Sequence, residues 1–187
     1  MKLATIQASA FKSTFEVLKD ILNDVNIYFK PDGVYIVTLD TARTSLVDMF
    51  LSADNFEEYE CESEIIAGIN VANTFKLLKS ISNTDVLVLS INCREYMHIE
   101  IHSETKKTCT KFDLKLLDIN ENQIEVPSMN MTTITPMPSS DFQRICRDMF
   151  NIGNDIEITR VGNIIKLYCN GDFANQETII QCIEESP

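Results

Sequence analysis

Apolar and polar residues alternate from Lys2 to Ala8, the period of a half-buried strand. From Ser9 to Val25 the period changes. Phe11, Phe15, Leu18, Leu22 and Val25 recur at alternating intervals of four and three, which predicts an amphipathic helix with Ser9 as its N-cap. Asn26–Lys30 and Val34–Leu39 are short strand patterns joined by Lys30-Pro31-Asp32-Gly33. Proline sets the turn's φ and glycine supplies a positive one, so this segment predicts a hairpin. Ser45–Leu51 is a further strand, and Tyr59–Asn70 another with a break near Glu62-Ser63. Val71–Ile81 returns to helical spacing, with Val71, Phe75 and Leu78 on one face. Three more strands, Val86–Ile91, Met97–His102 and Cys109–Leu116, complete an α+β pattern.

Leu117–Pro138 breaks the rhythm. It holds Pro127, Pro136 and Pro138 together with Asp118, Glu121 and Glu125, and its first part reads as an extended linker. Then the pattern restarts. Leu3-Ala4-Thr5-Ile6 is echoed by Met131-Thr132-Thr133-Ile134, Lys19-Asp20 by Arg147-Asp148 at the same offset, and Gly33 by Gly162 one residue further off. Shared order and near-constant offset point to an internal duplication. The expected organisation is a complete first domain over 1–117, a connector over 118–130 and a second copy over 131–187 that stops near its fourth strand.

Composition narrows the possible functions. Hydrophobic residues make up 44 % of the 187 positions, enough for a buried core, and no apolar run approaches the ~18 residues of a membrane span. Met1-Lys2-Leu3-Ala4-Thr5 lacks the apolar region of a signal peptide. No two of the six cysteines lie within four residues of each other, so there is no CxxC pair, and they read as buried thiols in a reducing compartment. Only five glycines are present, with no glycine-rich phosphate loop. A net charge of −12 argues against tight nucleic-acid binding by the chain as a whole, so contact with DNA requires local basic faces.

Such faces are visible on the helices. Lys12 and Lys19 lie seven apart on the first, Lys76 and Lys79 three apart on the second, and Arg144 and Arg147 three apart on a third predicted over Ser139–Asn151. Six phosphate contacts would give a log–log salt slope of roughly −5, with no sequence preference. The plainer reading is a solvated helix face with pairs such as Glu16 with Lys12 or Lys19. In the linker, Ile119, Ile124, Val126 and Met129 either pack as a strap or border a groove for an apolar partner peptide. On the strand over 97–102, His98, Glu100 and His102 share a face. They could hold a metal for a small metal-dependent enzyme, or simply be the polar positions of an alternating strand.

Several stretches resemble the proliferating cell nuclear antigen family. They are Phe15-Glu16-Val17-Leu18-Lys19-Asp20-Ile21-Leu22-Asn23, Leu39-Asp40-Thr41-Ala42-Arg43-Thr44-Ser45-Leu46-Val47, Lys76-Leu77-Leu78-Lys79, Lys115-Leu116-Leu117-Asp118, and Pro138-Ser139-Ser140-Asp141-Phe142-Gln143-Arg144-Ile145-Cys146-Arg147-Asp148. The resemblance implies a sliding clamp: a DNA polymerase processivity factor without catalytic activity or cofactor. It implies a DNA-clamp fold of sheets outside and helices lining a hole, closed as a homotrimer around double-stranded DNA. It also implies docking of polymerase and other clamp-binding-motif proteins, opening by an ATP-dependent clamp loader, no membrane, and residence in the nucleus or at viral replication sites.

By the same resemblance, Lys12, Lys19, Lys76, Lys79, Arg144 and Arg147 face DNA, and Leu39, Arg43, Thr44, Ile124, Val126 and Pro127 belong to the partner-peptide pocket and connector. Thr108–Lys115, with Phe112 and Lys115, and Phe173–Ile180 form the two sides of the subunit joint, which hides sheet edges. Arg43 and Thr44 depart from the family's usual histidine and apolar residue, and Arg160 replaces a modifiable lysine, so peptide preference and modification are expected to differ. A checkpoint-type clamp subunit and a truncated decoy clamp are the neighbouring readings.

Overall fold

The computed structural model describes residues 1–120, 124, 126 and 134–181. The chain forms two compact units, Met1–Pro127 and Ser128–Pro187.

In the first unit, β1 (Lys2–Thr5) leads into α1 (Ala8–Leu18). The helix is shorter than its apolar spacing suggests. Leu22 and Val25 are buried as expected, but Lys19–Leu22 forms a tightening turn, with Ile21 N–H donating to Leu18 O at 3.1 Å. Val25 already belongs to β2 (Asp24–Lys30). Ser9 is not the cap either. The cap is Gln7, without a side-chain bond to the helix, and its own N–H donates to Thr5 Oγ1.

The hairpin of β2 with β3 (Gly33–Leu39) forms as expected, Lys30 pairing with Gly33. Gly33 has φ of 153°, and a Cβ there would sit 2.2 Å from Leu51 O on β4 (Leu46–Ser52). Glycine is therefore required both by backbone conformation and by the approach of the next strand. The break near Glu62-Ser63 separates β5 (Glu58–Glu60) from β6 (Ile65–Asn70), which lie in different sheets. At the end of β6, the Asn70 side chain accepts from Asn73 N–H and caps α2 (Val71–Leu78). β7 (Asp85–Ser90), β8 (Tyr96–Ser103) and β9 (Thr108–Lys115) follow.

The two antiparallel sheets run β5-β1-β7-β8-β9 and β4-β3-β2-β6. Their inner faces share one core with the helices: Leu3, Leu87, Leu89, Met97 and Ile99 from the first, Ile27, Phe29, Val34, Ile36 and Ile69 from the second, and Phe15, Leu18, Val71 and Leu78 from α1 and α2. Each such side chain, fully buried, contributes roughly 1.5–3 kcal/mol.

The second unit repeats the opening order. α3 (Ser139–Phe150) precedes an antiparallel meander of β10 (Glu157–Val161), β11 (Ile164–Asn170) and β12 (Asn175–Gln181). The first unit runs α1, β2, β3, β4 in the same way. Its core is small: Ile145, Met149, Ile165, Leu167 and Cys169. Gly162 has φ of 61° and, with Val161 pairing to Ile164, lies inside its turn rather than at the strand start as Gly33 does. The echoed segment at 131–133 lies outside the described residues.

The linker begins as a strap. Leu117 N–H donates to Gly68 O at 2.8 Å, and Asn26 Nδ2–H donates to Ile119 O at 3.1 Å. Gly68 has no side chain because the strap lies on it: a Cβ would meet Leu117 O at 2.2 Å. Gly68→Ala is expected to lift the strap and lower stability by about 1–3 kcal/mol. Denaturant unfolding, with protease cleavage after Leu117 as a second readout, checks it.

Candidate nucleic-acid interface

The helices expose the face opposite their buried stripes, and the six predicted cations prove unequal. The Lys12 ammonium donates to Ile81 O at 2.7 Å, reaching from α1 to the segment after α2. Lys19 is half-buried. It pairs with Asp20 at 2.8 Å and lies over the Phe75 ring of α2, 5.4 Å from its centroid. These two lysines tie α1 to α2 instead of standing free toward a ligand, and the expected pairing with Glu16 is replaced by Asp20 and Ile81. Lys76 is exposed and donates only to the side-chain oxygen of Asn73, at 3.0 Å. Lys79, the C-cap of α2, is exposed as well. From Val71 to Lys79 there is no acid, so α2 alone carries uncompensated positive charge. That charge also sits at the helix C-terminus, where the peptide dipole favours cations.

In the second unit, Arg144 pairs with Asp141 at 3.6 Å, and Arg147 is exposed next to Asp148. The acids of α3 match its arginines in number.

Of the predicted pocket residues, Leu39 belongs to the four-stranded sheet and Arg43 and Thr44 to the loop that follows it. Leu39 ends β3 opposite Leu46. Arg43 and Thr44 occupy an exposed loop organised by Asp40, whose carboxylate accepts Thr44 N–H at 2.6 Å, Ser45 N–H at 2.8 Å and Thr44 Oγ1–H at 3.0 Å. Arg43 takes φ of 57°, a left-handed conformation uncommon outside glycine, which the Asp40 bonds sustain. Ile124 is half-buried and Val126 exposed, while Pro127 lies outside the described residues. Leu39, Arg43, Thr44, Ile124 and Val126 do not line the large cleft found among the described residues. That cleft, of about 1120 Å³, runs between β6, the Ile91–Tyr96 segment and Lys115–Asn120. No sequence motif points to Asp40, although an aspartate just after a strand pattern is a common turn former.

Both predicted joint strands are outermost in their sheets among the described residues: β9 in the first unit and β12 in the second. On β9, Phe112 turns inward against the core and Lys115 outward. Phe173 precedes β12 instead of lying in it and is 78 % exposed, while Ile180 packs on the second core.

The histidine trio does not form one ligand set. His98 Nδ1 bonds Asp113 Oδ1 at 2.6 Å, leaving Glu100 and His102 together. Met97, Ile99 and Ile101 point inward, so the alternating-strand reading accounts for the pattern.

Comparison with known proteins decides the family. The N-terminal domain of proliferating cell nuclear antigen matches residues 1–125, and its C-terminal domain matches 125–186. The chain belongs to the proliferating cell nuclear antigen family. The fold described above is that of its α+β clamp domains. A "Probable DNA polymerase sliding clamp 1" of Paramecium bursaria Chlorella virus 1 is 40% identical over 184 residues, covering 95% of this chain and 70% of its own. A "Proliferating cell nuclear antigen" of Chaetomium thermophilum is 28% identical over 170 residues, covering 90% of this chain and 66% of its own. The chain thus spans about two thirds of the length of these relatives. The function that goes with these matches is that of a sliding clamp, a DNA polymerase processivity factor.

The Asp40 loop offers a pH test. The Ser45 N–H, and then the Thr44 groups, hold the Asp40 carboxyl below the usual carboxylate range. Its depressed folded value means that the loop's order is present above the ordinary range near about 3.9 and is lost as pH falls through the lower value. The amide resonances of Thr44 and Ser45 should therefore titrate with a midpoint below that of an unstructured aspartate, and Asp40→Asn should abolish the titration.

Proposed function

We propose that the chain confers processivity mechanically. Copies join head to tail, β9 of one beside β12 of the next, as a homotrimeric ring around duplex DNA. The helices face the hole, so DNA is held by topology and touched only weakly through its phosphates. The observation that carries this reading is that the N- and C-terminal domains of the family together match residues 1–186. The outermost places of β9 and β12 among the described residues and the acid-free basic stretch of α2 support it.

Within the interface, Lys76, Lys79 and Arg147 supply the main phosphate contacts. Lys12, Lys19 and Arg144 add less, because a backbone carbonyl or a carboxylate already engages each. An acidic exterior repels DNA while α2 tolerates it, which suits sliding. Leu39, Arg43, Thr44, Ile124, Val126 and Pro127 serve the docking of polymerase and other partners bearing a clamp-binding peptide, with Arg43 selecting a different peptide chemistry from the family's usual histidine. An ATP-driven loader opens the ring. The protein performs no catalytic step and needs no cofactor. It works in the nucleus or at viral replication sites, the latter suggested by the viral relative.

The combined Lys76→Ala and Lys79→Ala variant should shorten polymerase product length and reduce the magnitude of the log–log salt slope of DNA association by about 2. Lys12→Ala should leave that slope nearly unchanged. Primer extension with association measured from 50 to 200 mM salt distinguishes these outcomes, since unaltered processivity in the double variant would remove the assigned role of α2.

A further inference from the structure

β8 and β9 bring together a group of side chains that clamp activity does not use. Glu100 and His102 are two apart on β8 and project from its outer face. Across the ladder, His102 lies opposite Cys109 and Glu100 opposite Lys111. The donor atoms converge: His102 Nε2 is 3.0 Å from Glu100 Oε2 and 3.9 Å from Cys109 Sγ, and Cys109 Sγ is 4.0 Å from the same carboxylate oxygen. One imidazole, one thiol and one carboxylate thus lie with all donor atoms within 4.8 Å of each other.

These separations suit one ion. Metal–ligand bonds of about 2.0–2.3 Å in a tetrahedron set donor–donor separations at roughly 3.3–3.7 Å. The three observed distances bracket that range, so small rotations of the side chains complete the geometry. Lys111 fixes the carboxylate from behind: its ammonium donates to Glu100 Oε1 at 2.6 Å, leaving Oε2 directed at the other two donors. That is the orienting contact an outer neighbour supplies to a ligand. Soft thiolate with imidazole and one carboxylate favours zinc over magnesium or calcium, which take oxygen.

We propose that Glu100 Oε2, His102 Nε2 and Cys109 Sγ form a zinc site on the outer face of the β8–β9 ladder, with water in the fourth position. Binding replaces the His102–Glu100 hydrogen bond and releases the Cys109 thiol proton to solvent. The ion bridges the edge strand β9 to β8 and so holds the end of the ladder against fraying. The site stands on these residues alone and is independent of whether the chain encircles DNA.

The test is a cobalt titration of the full metal-free chain, because cobalt reports both geometry and sulfur ligation. One equivalent should give visible bands of tetrahedral intensity and a near-ultraviolet thiolate-to-cobalt charge-transfer band, both displaced by zinc. Cys109→Ser should remove the charge-transfer band, His102→Gln should weaken binding at least about tenfold, and the exposed Cys93→Ser should change neither. Absence of tetrahedral bands in the wild type would overturn the proposal. So would a charge-transfer band that survives Cys109→Ser or disappears with Cys93→Ser. The wild-type titration decides without any variant, so a poorly folded variant does not shield the proposal.

Discussion

Phe15 and Leu18 of α1 and Val71 and Leu78 of α2 are buried in the one core that the two sheets share. Everything distinctive about the first unit follows from that packing. A helix with its apolar stripe turned to the sheets has only its polar face to present outward, so the position of Lys76 and Lys79 is fixed by burial on the opposite side. Removing either Phe15 or Leu78 would cost about 2–5 kcal/mol, and the basic face would lose its support with the core.

The same packing sorts the cations. Lys12 and Lys19 lie along the seam between α1 and α2, and their partners are Ile81 O, Asp20 and the Phe75 ring. They hold the helix pair together, whereas Lys76 and Lys79 lie on the far helix with nothing acidic in it. On the proposed reading, an acidic chain with −12 net charge meets DNA on one narrow surface without binding it tightly. Weak local contact and strong global repulsion are compatible when topology, and not affinity, keeps the partners together.

Most of the fold was legible because its strands and helices obey simple periods. The hairpin at Gly33 and the recurrence of helix and hairpin express local patterns, whereas the sheet order joins strands far apart in the chain, such as β1 with β7 and β2 with β6. Errors arose where a local pattern had two structural causes. Leu22 and Val25 continue the three-to-four spacing of α1, yet they are buried from a turn and a strand. Tyr59–Asn70 reads as one interrupted strand and is two strands in separate sheets. The pairings of Lys12 with Ile81 and of His102 with Cys109 join residues far apart in sequence or on neighbouring strands. Periodicity along one segment carries no information about them. The role of Gly68 was equally hidden, since only the strap lying across it shows why a side chain is forbidden there.

Topological confinement is most directly tested by DNA ends. The chain would be loaded onto nicked circular DNA with a clamp loader and ATP, then washed at a salt concentration high enough to screen phosphate contacts. A closed ring predicts retention on the circle at that salt and rapid loss once the circle is cut. Equal loss from circular and linear DNA at the same salt would contradict encirclement and leave only ordinary electrostatic binding.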